Sequence, residues 1–301
     1  MNNPISNTWL WKGNKVSWSK TGSKSHISVI LIHGFGASKR HWRHNQDILG
    51  NVCECYAIDL IGFGDSSQPK SRLKGEKSTN GDFEYKFDSW GEQIAAFTKE
   101  VVNKPVFLIG NSIGGIIALK AAQIIENNCK GIVLINCAQR AMDDKRLGEK
   151  SILVNLVRPL LKQVVRQRFI SSLLLKNAAN DYMIRQVLKQ AYPSGKNIDN
   201  ELIKLLREPS MREGAAESFH GFINLFDDYL APELIKKLEI PVHLIWGELD
   251  PWEPLTEAKR WEKTIESINS LKIIKGCGHC PHDENPEEVN TILLKLIQEA
   301  I

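Results

Sequence analysis

Six short apolar runs punctuate the chain: Ser28–Ile32 (SVILI), Cys55–Leu60 (CYAIDL), Pro105–Ile109 (PVFLI), Gly131–Ile135 (GIVLI), Pro241–Trp246 (PVHLIW) and Leu271–Ile274 (LKII). Near-continuous runs of this length suit parallel strands covered on both faces. Helical periodicity fills gaps between them, over Asp88–Val102 and Gly115–Glu126. A final helix is signalled by Asn285 as its cap, Pro286 at the first helical position and Glu288 as capping-box partner. This alternation predicts an α/β fold with a mostly parallel, doubly wound sheet.

The rhythm breaks between about Cys137 and Leu238, where no run reads as a strand. The pattern there predicts helices, among them Leu153–Leu175 and Tyr182–Gln190, with Pro159 kinking or starting one of them. Residues 1–136 and 239–301 therefore form the expected core, and 137–238 an inserted helical cap. One cap face, from Leu153 through Leu156, Leu160 and Leu161 to Val165, is apolar and lies beside Arg158, Lys162, Arg166 and Arg168. Such a face packs on the core, lines a long-chain pocket or touches a membrane surface. Asn80-Gly81, in a polar stretch, marks a surface loop.

Composition narrows the class. The 301 residues are 42% hydrophobic and 25% charged, as in globular proteins, and the net charge of +4 comes without a Lys/Arg block. Nucleic acid is thus not an expected partner. The start, MNNPISNTWLWKGNKVSW, lacks the apolar core of a signal peptide. No apolar run reaches the roughly 18 residues of a membrane span. Six scattered cysteines do not form a secreted disulfide pattern. The expectation is a cytoplasmic protein with mostly reduced thiols.

The strand PVFLI runs into Gly110-Asn111-Ser112-Ile113-Gly114-Gly115, and a helix follows. G-x-S-x-G between a strand and a helix is the setting of a nucleophile elbow. Glycines flank a turn too tight for side chains, and the hydroxyl stands at the positive end of a helix dipole. Such a serine needs a base, and the base an orienting acid, in the chain order Ser, Asp/Glu, His. Asp250 follows PVHLIW and His279 follows LKII, each just past the carboxyl end of an expected strand. Open α/β sheets build their sites at that edge. Glu248 is the alternative acid. The backbone N–H groups of Ile113 and Phe35 are the candidate oxyanion donors, and His33 reads as a turn residue.

Gly276-Cys277-Gly278-His279-Cys280 contains C-x-x-C, the spacing of dithiol redox sites. It follows the last expected strand, however, and not the early position a thioredoxin-type unit requires. Zinc through Cys277, His279, Cys280 and His282 lacks a second ligand-bearing segment. Both cysteines are expected to pack around His279, with no metal or cofactor implied. Cys53 and Cys55 read as one core and one surface thiol. His282 and Asp283 either adjust His279 or merely precede the helix cap.

These segments together resemble the α/β-hydrolase superfamily: His33-Gly34-Phe35-Gly36, Asp59 through Ser66, the elbow at Ser112, Trp246-Gly247 through Asp250, and Gly278-His279. The matches extend from about Ile27 to the C-terminus, with the insertion in the place of the family's lid. Asp250-Pro251-Trp252 and Gly278 through Glu284 are similar to the pheophytinase and chlorophyll dephytylase group of plants and cyanobacteria, which hydrolyse phytyl esters. The elbow alone is also similar to meta-cleavage C–C bond hydrolases. Serine at 112 distinguishes the chain from relatives with an aspartate nucleophile, the haloalkane dehalogenases and epoxide hydrolases.

The resemblance implies an ester hydrolase with Ser112, Asp250 and His279 as its triad and a small hydrophobic ester as substrate. Asn111, Trp252 and His282 are further candidates for lining or tuning the site. Two readings stay open beside it: C–C bond hydrolysis, and a non-catalytic ligand-binding protein on the same fold. Peripheral contact with a membrane, a photosynthetic one in the resembled group, also stays open, as does the oligomeric state.

Overall fold

The computed structural model describes residues 6–23, 25–149 and 152–300, the side chains of 149 and 152–155 apart. Eight strands form one sheet: β1 (Ser6–Trp11), β2 (Asn14–Thr21), β3 (Ser28–Ile32), β4 (Glu54–Ile58), β5 (Val106–Asn111), β6 (Cys129–Ile135), β7 (Val242–Gly247) and β8 (Ile268–Ile274). Their spatial order is β1-β2-β4-β3-β5-β6-β7-β8. From β4 through β8 all pairs are parallel, while β1 and β2 form an antiparallel hairpin on one edge. The sheet is that of the α/β-hydrolase fold, as the sequence implies.

All six expected strands are present, with ends shifted by up to a few residues. The hairpin β1–β2 is the addition. Its turn residues Lys12 and Gly13 take φ values of 47° and 77°, the left-handed pair that a two-residue hairpin demands. β1 half-buries alternate positions and buries only Trp11, so it has no apolar run to notice. Aromatic contacts tie the hairpin to the core: Phe97 lies edge-on to Trp9 of β1 at 5.7 Å and to Trp18 of β2 at 5.6 Å.

Central strands β3, β4 and β5 are buried at every position, because helices cover both faces. Phe87–Phe97 and Ile113–Ile125 cover one face, and Pro286–Ala300 lies on the other. At the start of that last helix, the side chains of Asn285 and Glu288 bond at 2.8 Å.

Between β6 and β7 the described residues form helices and no strand. The single helix expected over Leu153–Leu175 is two, Ile152–Val165 and Arg168–Ala178, broken where Gln167 is extended. Pro159 neither starts nor ends a helix; it sits exposed inside the first. The side chain of Leu153 lies outside those described. β6 and β7 are neighbours in register, so the insertion leaves the sheet at the carboxyl end of β6. Six parallel strands, β3 to β8, end at that same edge.

Candidate active site

Ser112 follows β5 with φ 57° and ψ −122°, a backbone conformation that favours glycine. Its neighbours explain how the turn is held. A Cβ on Gly110 would lie 2.2 Å from the carbonyl oxygen of Gly114, and one on Gly114 would lie 2.3 Å from that of Ile32. Only hydrogen fits at either place. Gly34 is similarly close, since a Cβ there would stand 3.1 Å from Cβ of Ser112. The β3 loop carrying Phe35 is thereby pressed against the elbow.

Ile113 opens the helix Ile113–Ile125, so its N–H has no acceptor within that helix. Among the described residues the N–H of Phe35 finds no acceptor either. Both donors are free beside Ser112, a residue 9% exposed whose hydroxyl makes no hydrogen bond with a described residue.

The loops after β7 and β8 bring Asp250 and His279 together, Nδ1 of the imidazole lying 2.9 Å from Oδ2 of the carboxylate. Asp250 also accepts from Asn136 Nδ2 at 2.6 Å and from the N–H groups of Trp252 and Glu253 at 2.9 and 3.1 Å. Burial pushes this carboxyl up, but the His279 contact and these donors outweigh it and hold it below the usual range. Glu248 does not compete: it accepts from the N–H of half-buried Gly276 instead.

The remaining candidates separate. Trp252 sets its ring edge-on to His279 at 4.9 Å and is 41% exposed, which places it beside the candidate base. Asn111 is structural: its buried amide ties the carbonyls of Ile135 and His279, each at 3.2 Å. His282 is fully buried against Trp42 at 4.4 Å and His41 at 4.8 Å. Asp283 anchors Arg43 at 2.9 Å. His33 accepts from Leu60 N–H at 3.1 Å, a turn residue as expected.

All six cysteines are buried and free, Cys53 and Cys55 included, so the surface thiol expected of that pair is absent. Burial pushes the Cys277 thiol up to about 12 and that of Cys280 well above the ordinary range. Thiols held protonated in this way are poor nucleophiles and poor metal ligands. Among the described residues, no three His, Cys, Asp or Glu side chains are grouped to hold a metal.

Three participants were not singled out by the sequence. Asn136, at the end of β6, accepts from Gly247 N–H at 3.0 Å while donating to Asp250, and so joins three loops. The rule that found Asp250 and His279, looking just beyond a strand's carboxyl end, finds it too. Glu253 accepts from Gln139 N–H at 2.7 Å, and burial beside Asp250 pushes its carboxyl up to about 7. Phe222, from the insertion, stacks on Phe35 at 3.9 Å, and Phe63 lies edge-on to Phe35 at 5.8 Å. No sequence spacing reveals that contact.

A parallel sheet whose carboxyl edge carries a serine elbow, an Asp–His pair and two free N–H donors is the framework of an α/β hydrolase. The chain belongs to the alpha/beta hydrolase family, whose pattern matches residues 29–292. It is 27% identical to chloroplastic pheophytinase of Arabidopsis thaliana, over 94% of this chain and 64% of that protein, so it spans less than two thirds of that relative. It is 24% identical to 2-hydroxy-6-oxo-6-(2'-aminophenyl)hexa-2,4-dienoic acid hydrolase of Metapseudomonas resinovorans, over 89% of this chain and 83% of that one. Among solved structures, a serine hydrolase involved in carbazole degradation superposes with a TM-score of 0.76 and 19% identity, over 98% of this chain and 99% of that one. At that identity the likeness is one of fold.

Proposed function

We propose that the protein is a serine hydrolase that cleaves a hydrophobic carboxylic ester through an acyl-enzyme. His279 takes the hydroxyl proton of Ser112 on Nε2 as Oγ attacks the substrate carbonyl. Asp250 fixes the imidazole with Nδ1 protonated and stabilises the imidazolium. The N–H groups of Ile113 and Phe35 receive the oxyanion. His279 then returns its proton to the leaving alcohol, and a water it activates hydrolyses the acyl-enzyme, restoring Ser112.

The observation carrying this reading is the conformation of Ser112. A non-glycine residue at φ 57°, ψ −122° costs about 1–3 kcal/mol, a strain that persists where function uses it. The Ser112–His279 hydrogen bond is the contact the proposal adds; catalytic contacts often close only around substrate.

Residues 137–238 serve as the cap. Phe35, Phe63 and Phe222 supply an aromatic wall beside the elbow, which favours an apolar group over a charged one. The similarity to pheophytinase points the same way, toward a long-chain ester. The second reading, C–C bond hydrolysis, rests on the similarity to the dienoic acid hydrolase and uses the same residues.

The test is fluorophosphonate labelling with peptide mapping, followed by turnover of p-nitrophenyl esters, a phytylated pigment and a ring-fission diketone. Label on Ser112 with ester turnover is expected. Label elsewhere, or binding without turnover of any activated ester, defeats the serine mechanism. Turnover of the diketone alone selects the second reading.

A further inference from the structure

Two helices of the insertion are built inside out. In Ile152–Val165, Arg158 and Lys162 turn inward: they pair with Asp144 at 2.9 and 2.6 Å and lie over the ring of Phe226 at 5.3 and 4.9 Å. On the opposite side Leu156, Leu160 and Val164 recur every turn and are 75%, 63% and 43% exposed. Arg168–Ala178 repeats the arrangement. Arg168 faces inward, paired with Glu217 and, at 3.0 Å, with Glu76, and Ser171 is buried against His220. Phe169 and Leu173 face out, 68% and 54% exposed. A helix in contact with water does the reverse. Rotating either helix to bury its apolar side would tear its cations from their carboxylates, so this exposure is fixed by the fold.

Charge identifies the occupant. From Ile152 to Ala191 Arg158, Lys162 and Arg168 are already neutralised by their inward carboxylates, and the one acid of this stretch, Asp181, pairs with Arg207 at 2.9 Å. Arg166, Lys176, Arg185 and Lys189 make no ion pair among the described residues. A second copy seated on this patch would bring those cations against one another. An anionic bilayer supplies an apolar interior for the leucines and negative headgroups for the rim. We propose that the face formed by Ile152–Val165 and Arg168–Ala178 docks on an anionic lipid surface. No helix among the described residues is long and apolar enough to cross a membrane, so contact is from one side. The proposal stands apart from the catalytic one, since it needs no residue of the carboxyl edge.

Flotation of the full chain with phosphatidylcholine vesicles, with and without phosphatidylglycerol, tests it. Binding is expected to the mixed vesicles and to fall as salt rises. Leu160→Asp with Leu173→Asp should lower it about tenfold or more, since two leucines no longer enter the bilayer. Lys176→Glu with Lys189→Glu should weaken it at low salt only. All four positions face outward, and unchanged circular dichroism and melting would show that the variants fold. No flotation at low salt, equal flotation with both vesicle types, or a concentration-dependent dimer broken by the leucine variants would each overturn the inference.

Discussion

Asp250 and His279 stand 29 positions apart in the chain and 2.9 Å apart in the fold, and the carboxylate in that contact has every lone-pair direction occupied. Asp250→Asn keeps the shape but offers an N–H where Nδ1–H needs an acceptor. The imidazole is then held in the wrong tautomer, and kcat should fall about 10³–10⁴-fold with little change in KM. Stability shows the same contact. Because the folded state holds Asp250 below its ordinary 3.8, its contribution is full above that pH and is lost as pH falls through the folded value. Melting curves of the variant should therefore be less steep in pH below about 4 than those of the parent. Parallel curves would show that the contact is not maintained in solution.

The elbow reverses an ordinary rule. Elsewhere Gly is less stable than Ala by roughly 0.5–1 kcal/mol. At Ser112 the backbone sits in glycine's territory, so Ser112→Gly should melt above Ser112→Ala, although both lose the nucleophile and all fluorophosphonate labelling. If the alanine variant melts higher, the turn relaxes in solution and the strain argument fails.

Asn136 joins the ends of three strands through one amide. Its amide donates to Asp250 at 2.6 Å and to the Gly278 carbonyl at 3.3 Å, and its oxygen accepts from Gly247. Asn136→Ala strips the Gly247 N–H and the Gly278 carbonyl of this partner and leaves Asp250 three of its four donors, which costs about 1–3 kcal/mol in stability. As a positioning residue, it should affect kcat more than KM and shift the acidic limb of the pH–rate profile upward, because Asp250 loses a stabilising donor. A loss of stability with an unchanged pH profile would make Asn136 merely structural.

The parts of this fold that could be read from sequence are those in which one chemical demand fixes one residue. Continuous apolar runs gave the buried strands, because parallel strands covered twice have no polar face. Gly110, Gly114 and Ser112 were legible because a tight turn leaves no other choice of residue. The hairpin β1–β2 was not, since a half-buried edge strand needs only alternate apolar positions and Lys12-Gly13 is a weak turn signal. The break at Gln167 carried no glycine or proline to mark it. Phe222 against Phe35 depends on where a long insertion returns, which no local pattern encodes.

The C-x-x-C at Cys277 and Cys280 should behave as packing. Both side chains are buried, and their thiols are held protonated far above neutral pH. Native protein should resist iodoacetamide at pH 8, and Cys277→Ser should retain ester turnover within a few-fold. Rapid alkylation of either cysteine before unfolding would show that the segment opens and would restore a redox reading.

Glu253 gives the opposite pH signature from Asp250. Unfolded, it ionises near 4.5; folded, burial beside Asp250 keeps its proton until about 7. Between those values unfolding releases a proton, so its contribution to stability falls as pH rises and is lowest once both states are ionised. The loss is of order 1–3 kcal/mol, reduced by solvent reaching this half-buried side chain. Glu253→Gln keeps an oxygen to accept from Gln139 N–H but cannot ionise. It should match the parent in melting temperature near pH 5 and exceed it at pH 8. The same substitution removes a negative charge that forms beside His279 above pH 7, so the alkaline part of the pH–rate profile should change as well. Equal melting at both pH values would mean that Glu253 ionises normally, and that the loop after β7 is more open to water than its packing implies.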